Sequence, residues 1–450
     1  MKNRSWLAFA ILIAALVSPL ALRADDQIRI VLISIDGLMA SSYTKPGPAK
    51  IPVLRSLARD GAYAEGVVGV LPSVTYPSHT SLITGVPPAV HGILDNRFMD
   101  PEDRSDGGWY WYAQDIRVAT LVGAARSRGL QTAAITWPVT VGMEADFLVP
   151  EFWRSDHLSD LSMLRALSTP HLLDAVEINR KQPFGWRQND RERTDIAKFI
   201  LRTYKPHLML LHIIELDGAQ HRYGPGSADA LTTLERIDGY IGEIRQTLVE
   251  TGIADRTYLA ITSDHGFLPT QQQLQPNFAF KEAGLITTDP RGRISDWRAY
   301  FHASGGAGFV YLKDPSDLAL REQVGALLAK LHATPQNGIA SVWSQKDLER
   351  WGTHPDAAFG IGMRPQFYLG GGLDALLKDT GSKGGHGFDP TIPDMHSSLI
   401  LSGPGMKGQG NLGIVRMTQI APTLARLLNV SLSPQADQPI KALLKIPDIR

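Results

Sequence analysis

The sequence predicts an α/β fold, with a central, mostly parallel sheet flanked by helices and interrupted by one inserted segment. Three observations carry this expectation. Apolar, β-branched runs of strand length recur along the chain, amphipathic helical patterns lie between them, and several runs end in Asp or Asp-His. Uninterrupted apolar runs belong to strands buried on both faces, as in a parallel sheet covered by helices.

The elements follow in order. The chain opens MKNRSWLAFAILIAALVSPLALRADD, with Lys2 and Arg4 as a basic start and Trp6 to Val17 as an apolar stretch. Leu22-Arg23-Ala24 is an imperfect small-residue cleavage site, so residues 1–24 read as a signal peptide. The apolar stretch is shorter than the roughly 20 residues that a membrane span needs. The expectation is an exported protein, periplasmic or secreted, with no stable membrane association. Ile28 to Ile35 (IRIVLISI) is the first strand pattern, followed by Thr132 to Thr136, His207 to Ile214, Tyr258 to Thr262 and Ser397 to Ser402. The clearest helix is Ala228 to Thr251, where Leu231, Leu234, Ile237, Ile241, Ile244 and Leu248 recur every three or four residues and Gly252 marks the stop. Residues 285–380 are rich in Gly, Pro and Trp and break the rhythm, with one strand pattern (Ala307 to Leu312) and one helix pattern (Asp317 to His332). They read as a cap inserted into a core formed by 25–284 and 381–450.

Charge is balanced, 45 basic against 45 acidic residues in 450, which gives no support to a nucleic-acid-coating or membrane-surface role. An anionic substrate must then be attracted locally, by a metal or a small basic cluster. The absence of cysteine excludes disulfides, a lipoprotein anchor, thiolate-bound zinc and thiol catalysis.

The strand ends carry the chemistry. The first strand runs into Asp36, LMLLHIIEL into Asp217 with His221 four residues on, and TYLAITS into Asp264-His265; GGHGFD, with His386, precedes the last strand. In open α/β sheets ligands bind at the carboxyl ends of strands, so these side chains converge on one crevice. Three Asp and three His are expensive to bury unpaired. Divalent cations offset that cost, and nitrogen and oxygen ligands without sulfur suit zinc. The set is too large for one tetrahedral ion and fits two, the arrangement that clamps attacking and leaving oxygens in phosphoryl displacement.

The segment LPSVTYPSHTSLITG crowds hydroxyls into a helix start. Most of them are expected to serve as N-caps, with Pro77 at the first turn. Thr75 is the candidate nucleophile, held beside one metal, with the helix N-terminus facing the phosphate. Asn96, in HGILDN, is a candidate hydrogen-bond donor to a phosphate oxygen.

At this point the chain resembles the nucleotide pyrophosphatase/phosphodiesterase branch of the alkaline phosphatase superfamily. The matching segments are SIDG, PSVTYPSHTSLITG with HGILDN, ELDGAQHRYGP, TSDHG and GGHGFDPTIPDMH, in family order across about residues 28 to 430. The resemblance implies an alkaline-phosphatase-like sandwich and a covalent phospho-threonine intermediate on a two-zinc site. It implies Asp217, His221 and His386 as ligands of one zinc, and Asp36, Asp264 and His265 as ligands of the other, with Thr75 on the latter. Asn96 carries over as the phosphate-binding asparagine. Ser78 stands where the family usually shows Asn.

Within the superfamily, sulfatases need a Cys or Ser precursor and an Arg four residues on, where this chain has Thr75 and His79. Serine-type alkaline phosphatases lack the threonine. Threonine-type monoesterases carry a Lys-x-Arg pair where this chain has Trp137-Pro138-Val139, similar to the Trp-Pro-Gly of the diesterases. The expectation is a diester or pyrophosphate-linked nucleotide as the small-molecule substrate, with phosphonate hydrolase and monoesterase as alternatives. An exported metal-binding protein without activity would need no threonine at the helix start. The resemblance also makes Tyr76 an aromatic that stacks on a nucleobase, and Trp137 a substrate contact. His79, His91 and His396 read as supporting residues.

Overall fold

The strand Arg29–Ile35 sits at the centre of the molecule because it buries both its faces. Successive side chains point to opposite sides of a sheet. Accordingly Val31, Ile33 and Ile35 pack into one hydrophobic core, and Ile30 and Leu32 into a second. The structure is a computed structural model describing residues 27–105, 108–152, 160–185 and 188–445; the expected signal peptide, 1–24, lies outside the described residues.

Eight strands form the main sheet, in the order Gly410–Asn411, Ala62–Tyr63, Leu399–Ser402, Thr257–Thr262, Arg29–Ile35, Leu208–Ile213, Thr132–Ile135, Phe147–Val149. The five from Thr257–Thr262 to Phe147–Val149 run parallel, with Ile33 opposite Leu211 on one side and Ile261 on the other. Leu399–Ser402 is antiparallel to Thr257–Thr262, so the sheet is mixed at that edge. Helices cover both faces. On one lies Ala228–Glu250, whose buried stripe includes Leu234, Ile237, Ile241, Ile244 and Leu248 and whose start is capped by Ser227 accepting from the Ala230 amide at 3.3 Å. On the other lie Thr75–Thr84 and Ile420–Leu427, contributing Leu82, Ile83, Ile420 and Leu424. Among the described residues no helix is long and apolar enough to cross a membrane.

Residues 285–380 contain more strand than their composition suggests. Ala299–Ser304, Ala307–Leu312, Phe359–Met363 and Ile339–Ser344 form an antiparallel sheet in that order, against which Leu320, Val324, Leu328 and Leu331 of the helix Leu318–His332 pack. Its hydrophobic cluster extends beyond 285–380. Leu268, Leu274 and Phe280 join it from before, and Phe388 and Met395 from after, because the strand Leu268–Leu274 pairs with Gln366–Leu369 and Leu377–Asp379. Residues 285–380 therefore share a core with segments that lead directly from Asp264 and His265 and directly from His386.

Candidate active site

Each candidate ligand is delivered by the end of a regular element. Asp36 follows Arg29–Ile35 and is followed by Gly37 at φ 71, where a Cβ would lie 2.8 Å from the Gln220 amide nitrogen. This left-handed turn lets the Gly37 N–H donate to Asp264 Oδ1 at 3.1 Å, tying two strand ends together. Asp264 and His265 follow Thr257–Thr262. Asp217 and His221 lie one turn apart on the helix Glu215–Tyr223, a spacing that puts them on one face, with His221 Nε2 3.2 Å from Asp217 Oδ1. That helix starts on Asp190, whose carboxylate accepts from the Ile214 and Glu215 amides at 2.9 and 2.8 Å. His386 follows the short strand Gly384–Gly385.

These side chains meet in two overlapping groups. Asp36, Asp264 and His265 form one; Asp217, His386 and again His265 form the other, with ligand atoms within 4.8 Å of one another in each. His221 joins through Asp217, its ring centroid 5.1 Å from that of His386. The imidazoles are oriented alike. Nδ1 of His221, His265 and His386 lies 2.9, 3.1 and 3.3 Å from the carbonyls of Gly384, Gly266 and Ser73. A carbonyl only accepts, so each Nδ1 carries the proton and each Nε2 presents its lone pair to the site.

The residues present fit metal ions. Asp36 Oδ1, Asp217 Oδ1, Asp264 Oδ2 and His265 Nε2 are buried without a hydrogen-bond partner. Yet His265 Nε2 lies 3.1 Å from Asp264 Oδ2 and 3.4 Å from Asp36 Oδ1. Acceptors pointed at one another at that range need a shared cation. Burial, then the charges of Asp264 and Asp217, push the Asp36 carboxyl well above the usual carboxylate range. Burial also opposes ionisation of Asp264, but His265 and His79 outweigh it and hold that carboxyl well below the range.

Thr75 is the first residue of the helix Thr75–Thr84, and its N-cap is Val74, in extended conformation with no side-chain cap. The expectation that the hydroxyls cap this helix is thus corrected. Ser73 bonds to the Phe388 carbonyl, Thr80 to that of Tyr76, Ser81 to that of Val86 and Thr84 to that of Thr80. Asn96 takes the capping place from outside, its Oδ1 accepting from the Tyr76 N–H at 2.8 Å. Thr75, Asp36 and Asp217 line one cavity of about 570 Å³, which extends past Trp109 and Phe152 to Gln188 and Arg193.

The family model for type I phosphodiesterase / nucleotide pyrophosphatase matches residues 30–355. The chain belongs to this family. Human ectonucleotide pyrophosphatase/phosphodiesterase family member 1 is 26% identical over 245 residues, 52% of this chain and 23% of that protein. The chain thus spans about a quarter of the length of that relative. Solved structures of human and murine ectonucleotide pyrophosphatase/phosphodiesterase 5 share 18% and 17% identity with it, cover 93% and 91% of this chain and 99% and 96% of theirs, and superimpose with TM-scores of 0.66 and 0.65. The murine structure is an inactive threonine-to-alanine variant in complex with AMP. The fold is alkaline-phosphatase-like α/β, and the family is metal-dependent.

Two expected substrate contacts are buried in the structure. Tyr76 borders the cavity, but its ring is 0% exposed, packed on Trp109 and Trp111 at 5.2 and 5.9 Å with its hydroxyl donating to Glu151 Oε1 at 3.0 Å. Trp137 is also 0% exposed and backs His79 edge-on at 4.9 Å. Both rings are covered by protein in this structure. The supporting histidines are placed inside: His79 Nδ1 lies 2.8 Å from the Thr75 carbonyl, His91 Nδ1 accepts from the Ile93 amide at 3.1 Å, and His396 packs against Gly66.

His212 and Glu151 carry roles that the sequence reading missed. His212 Nε2 lies 3.1 Å from Asp36 Oδ2 and its Nδ1 2.9 Å from Glu151 Oε2, so a buried chain runs from Tyr76 through Glu151 and His212 to Asp36. Burial opposes its charge, but hydrogen bonds to Asp36 and Glu151 outweigh this and push the imidazole up to about 10. The signal for His212 was a lone imidazole inside the apolar run LMLLHII. Glu151 had none.

Proposed function

We propose that this protein is an exported, two-zinc phosphodiesterase/nucleotide pyrophosphatase acting through a covalent phosphothreonine at Thr75. The observation that carries the reading is that Asp36 and Asp217, one from each acceptor-rich group, share a cavity with Thr75 at a helix start. Asp36, Asp264 and His265 would hold one ion, and Asp217, His221 and His386 the other. When bound, two zinc ions supply Lewis acidity and lower the cost of a threonine alkoxide near neutral pH.

The chain's own residues do the rest. The Thr75 hydroxyl oxygen loses its proton and bonds to phosphorus as the bond to the leaving oxygen breaks, the alcohol or nucleotide departs with a proton, and water later cleaves the ester on Thr75, returning the hydroxyl. The helix N-terminus places positive dipole where charge develops, and the Asn96 amide donates to a phosphate oxygen. His79 holds the Thr75 backbone through its carbonyl. A nucleotide substrate is supported by the AMP bound in the murine relative. A diester monoanion is supported by the cavity lining, where Arg193 is already tied to Asp190 at 2.8 Å and no Lys-x-Arg pair follows the strand Thr132–Ile135. Export rests on residues 1–24.

The test is one preparation of the full chain assayed on bis-p-nitrophenyl phosphate, p-nitrophenyl phosphate, a nucleoside-monophosphate p-nitrophenyl ester and phosphonoacetate. The diesters are expected to lead in kcat/KM by about tenfold or more, each tenfold being about 1.4 kcal/mol of barrier. A monoester or phosphonoacetate preference of that size overturns the substrate reading.

A further inference from the structure

The cap reaches the catalytic crevice through the tip of one hairpin, Ala299–Ser304 paired with Ala307–Leu312. At this tip the Gly306 N–H donates to the His386 carbonyl at 2.9 Å. Gly305 turns at φ +79, where a Cβ would lie 2.3 Å from the same carbonyl oxygen. One side chain of the first strand grips a residue across the crevice, and a second lies in contact with the same oxygen. Ser304 Oγ donates to Asp95 Oδ2, and His302 Nε2 lies 3.0 Å from that oxygen. Asp95 Oδ1 accepts from the Asn96 N–H at 2.6 Å, and Asn96 Oδ1 accepts from the Tyr76 N–H at the start of the Thr75 helix. Asp95, His302 and Ser304 are 6%, 9% and 4% exposed, so water does not replace these partners.

We propose that His302 and Ser304 are positioning residues for phosphate binding: the cap clamps Asp95, and through it fixes the backbone and side-chain direction of Asn96. The inference rests on the reading of Asn96 as the phosphate contact. A buried carboxylate without partners costs several kcal/mol, so Asp95 stays where the cap holds it. With Asp95 Oδ1 bonded to the next residue's amide, Asn96 has little freedom to rotate away from the helix start. Nothing in this chain of contacts touches a metal ligand's side chain. The clamp therefore acts on the phosphate and leaves the ion sites intact.

A double-mutant cycle tests this on the zinc-loaded full chain with bis-p-nitrophenyl phosphate. Asn96→Ala is expected to lower kcat/KM about 100-fold, the scale for removing one preorganised donor. Ser304→Ala with His302→Gln should lower it about tenfold, mostly in kcat, with zinc content unchanged, a size typical of supporting partners. On the Asn96→Ala background the same pair should cost less than about twofold, because the contact it serves is gone. Ser304→Thr, which keeps the hydroxyl, should restore near-native turnover. Equal losses on both backgrounds, a loss tracking zinc content, or no loss at all would overturn the clamp. If the pair fails to fold, Ser304→Ala alone closes the cycle. Full activity of Asn96→Ala would instead remove the phosphate role of Asn96, and with it the clamp's purpose, while leaving the diesterase reading to its own assay.

Discussion

Replacing Asp190 should unseat the helix that carries Asp217 and His221. Asp190 is fully buried, and its carboxylate accepts from the Ile214 and Glu215 amides at 2.9 and 2.8 Å and from Arg193 Nη1 at 2.8 Å. Each hydrogen bond to a charged group contributes about 1.5–3 kcal/mol, and removing one member of a buried ion pair costs about 3–5 kcal/mol because the other is stranded. Arg193, at 9% exposed, is the member stranded. These contributions overlap, so Asp190→Ala is expected to cost about 3–5 kcal/mol in total. Asp190→Asn, which keeps the shape and one acceptor, should cost less. The assay is equilibrium urea denaturation at fixed zinc concentration, since bound metal adds its own stabilisation. A second measurement, chelator competition, should show weaker zinc retention, because the helix start positions two ligands. A cost below about 1 kcal/mol would mean that the helix is held by its other packing and that the charge-assisted cap is incidental.

His212→Ala removes the imidazole that orients Asp36 Oδ2 and is itself held by Glu151 Oε2, and should weaken metal binding about 10–100-fold by chelator competition; unchanged affinity would assign His212 to packing alone. Ile241→Ala, in the buried stripe of Ala228–Glu250, should cost about 2–5 kcal/mol in urea denaturation; a cost well under that range would show the site collapsing around the smaller side chain. Burial pushes the His91 imidazole down to about 3. Its folded value lies below the unfolded value of about 6.5, so its contribution is complete above pH 6.5 and falls by at most about 1.4 kcal/mol per unit as pH drops towards 3. His91→Gln should therefore flatten the acid limb of the stability–pH curve, and an unchanged slope would place its titration outside the folding equilibrium.

How much was legible in the sequence follows from the range of the interactions involved. Asp36, Asp264 and His265 were visible because strand periodicity and the turn after it are local, and the sheet then aligns the ends. Asp217 and His221 share a helical face by spacing alone. The fate of Tyr76 was not local, because its ring is covered by Trp109 and Trp111 and its hydroxyl by Glu151, which only the folded chain brings together. The Ser304–Asp95 contact joins residues 209 apart. The hydroxyls near Thr75 read as caps because Ser and Thr favour that role, but nearby carbonyls claimed Thr80, Ser81 and Thr84, the distant Phe388 carbonyl claimed Ser73, and Asn96 supplied the cap. The cap's strands were hidden by Gly and Pro, which interrupt alternation without preventing antiparallel pairing around Phe301, Val310 and Ile361.

Whether Thr75 attacks phosphorus is decided by the turnover of bis-p-nitrophenyl phosphate by Thr75→Ala at zinc content matched to the native protein. A loss of several powers of ten, each about 1.4 kcal/mol of barrier, is expected, since all six candidate Asp and His ligands remain and only the proposed nucleophile is gone. Activity within about tenfold of native at equal zinc would contradict it and make water the direct nucleophile.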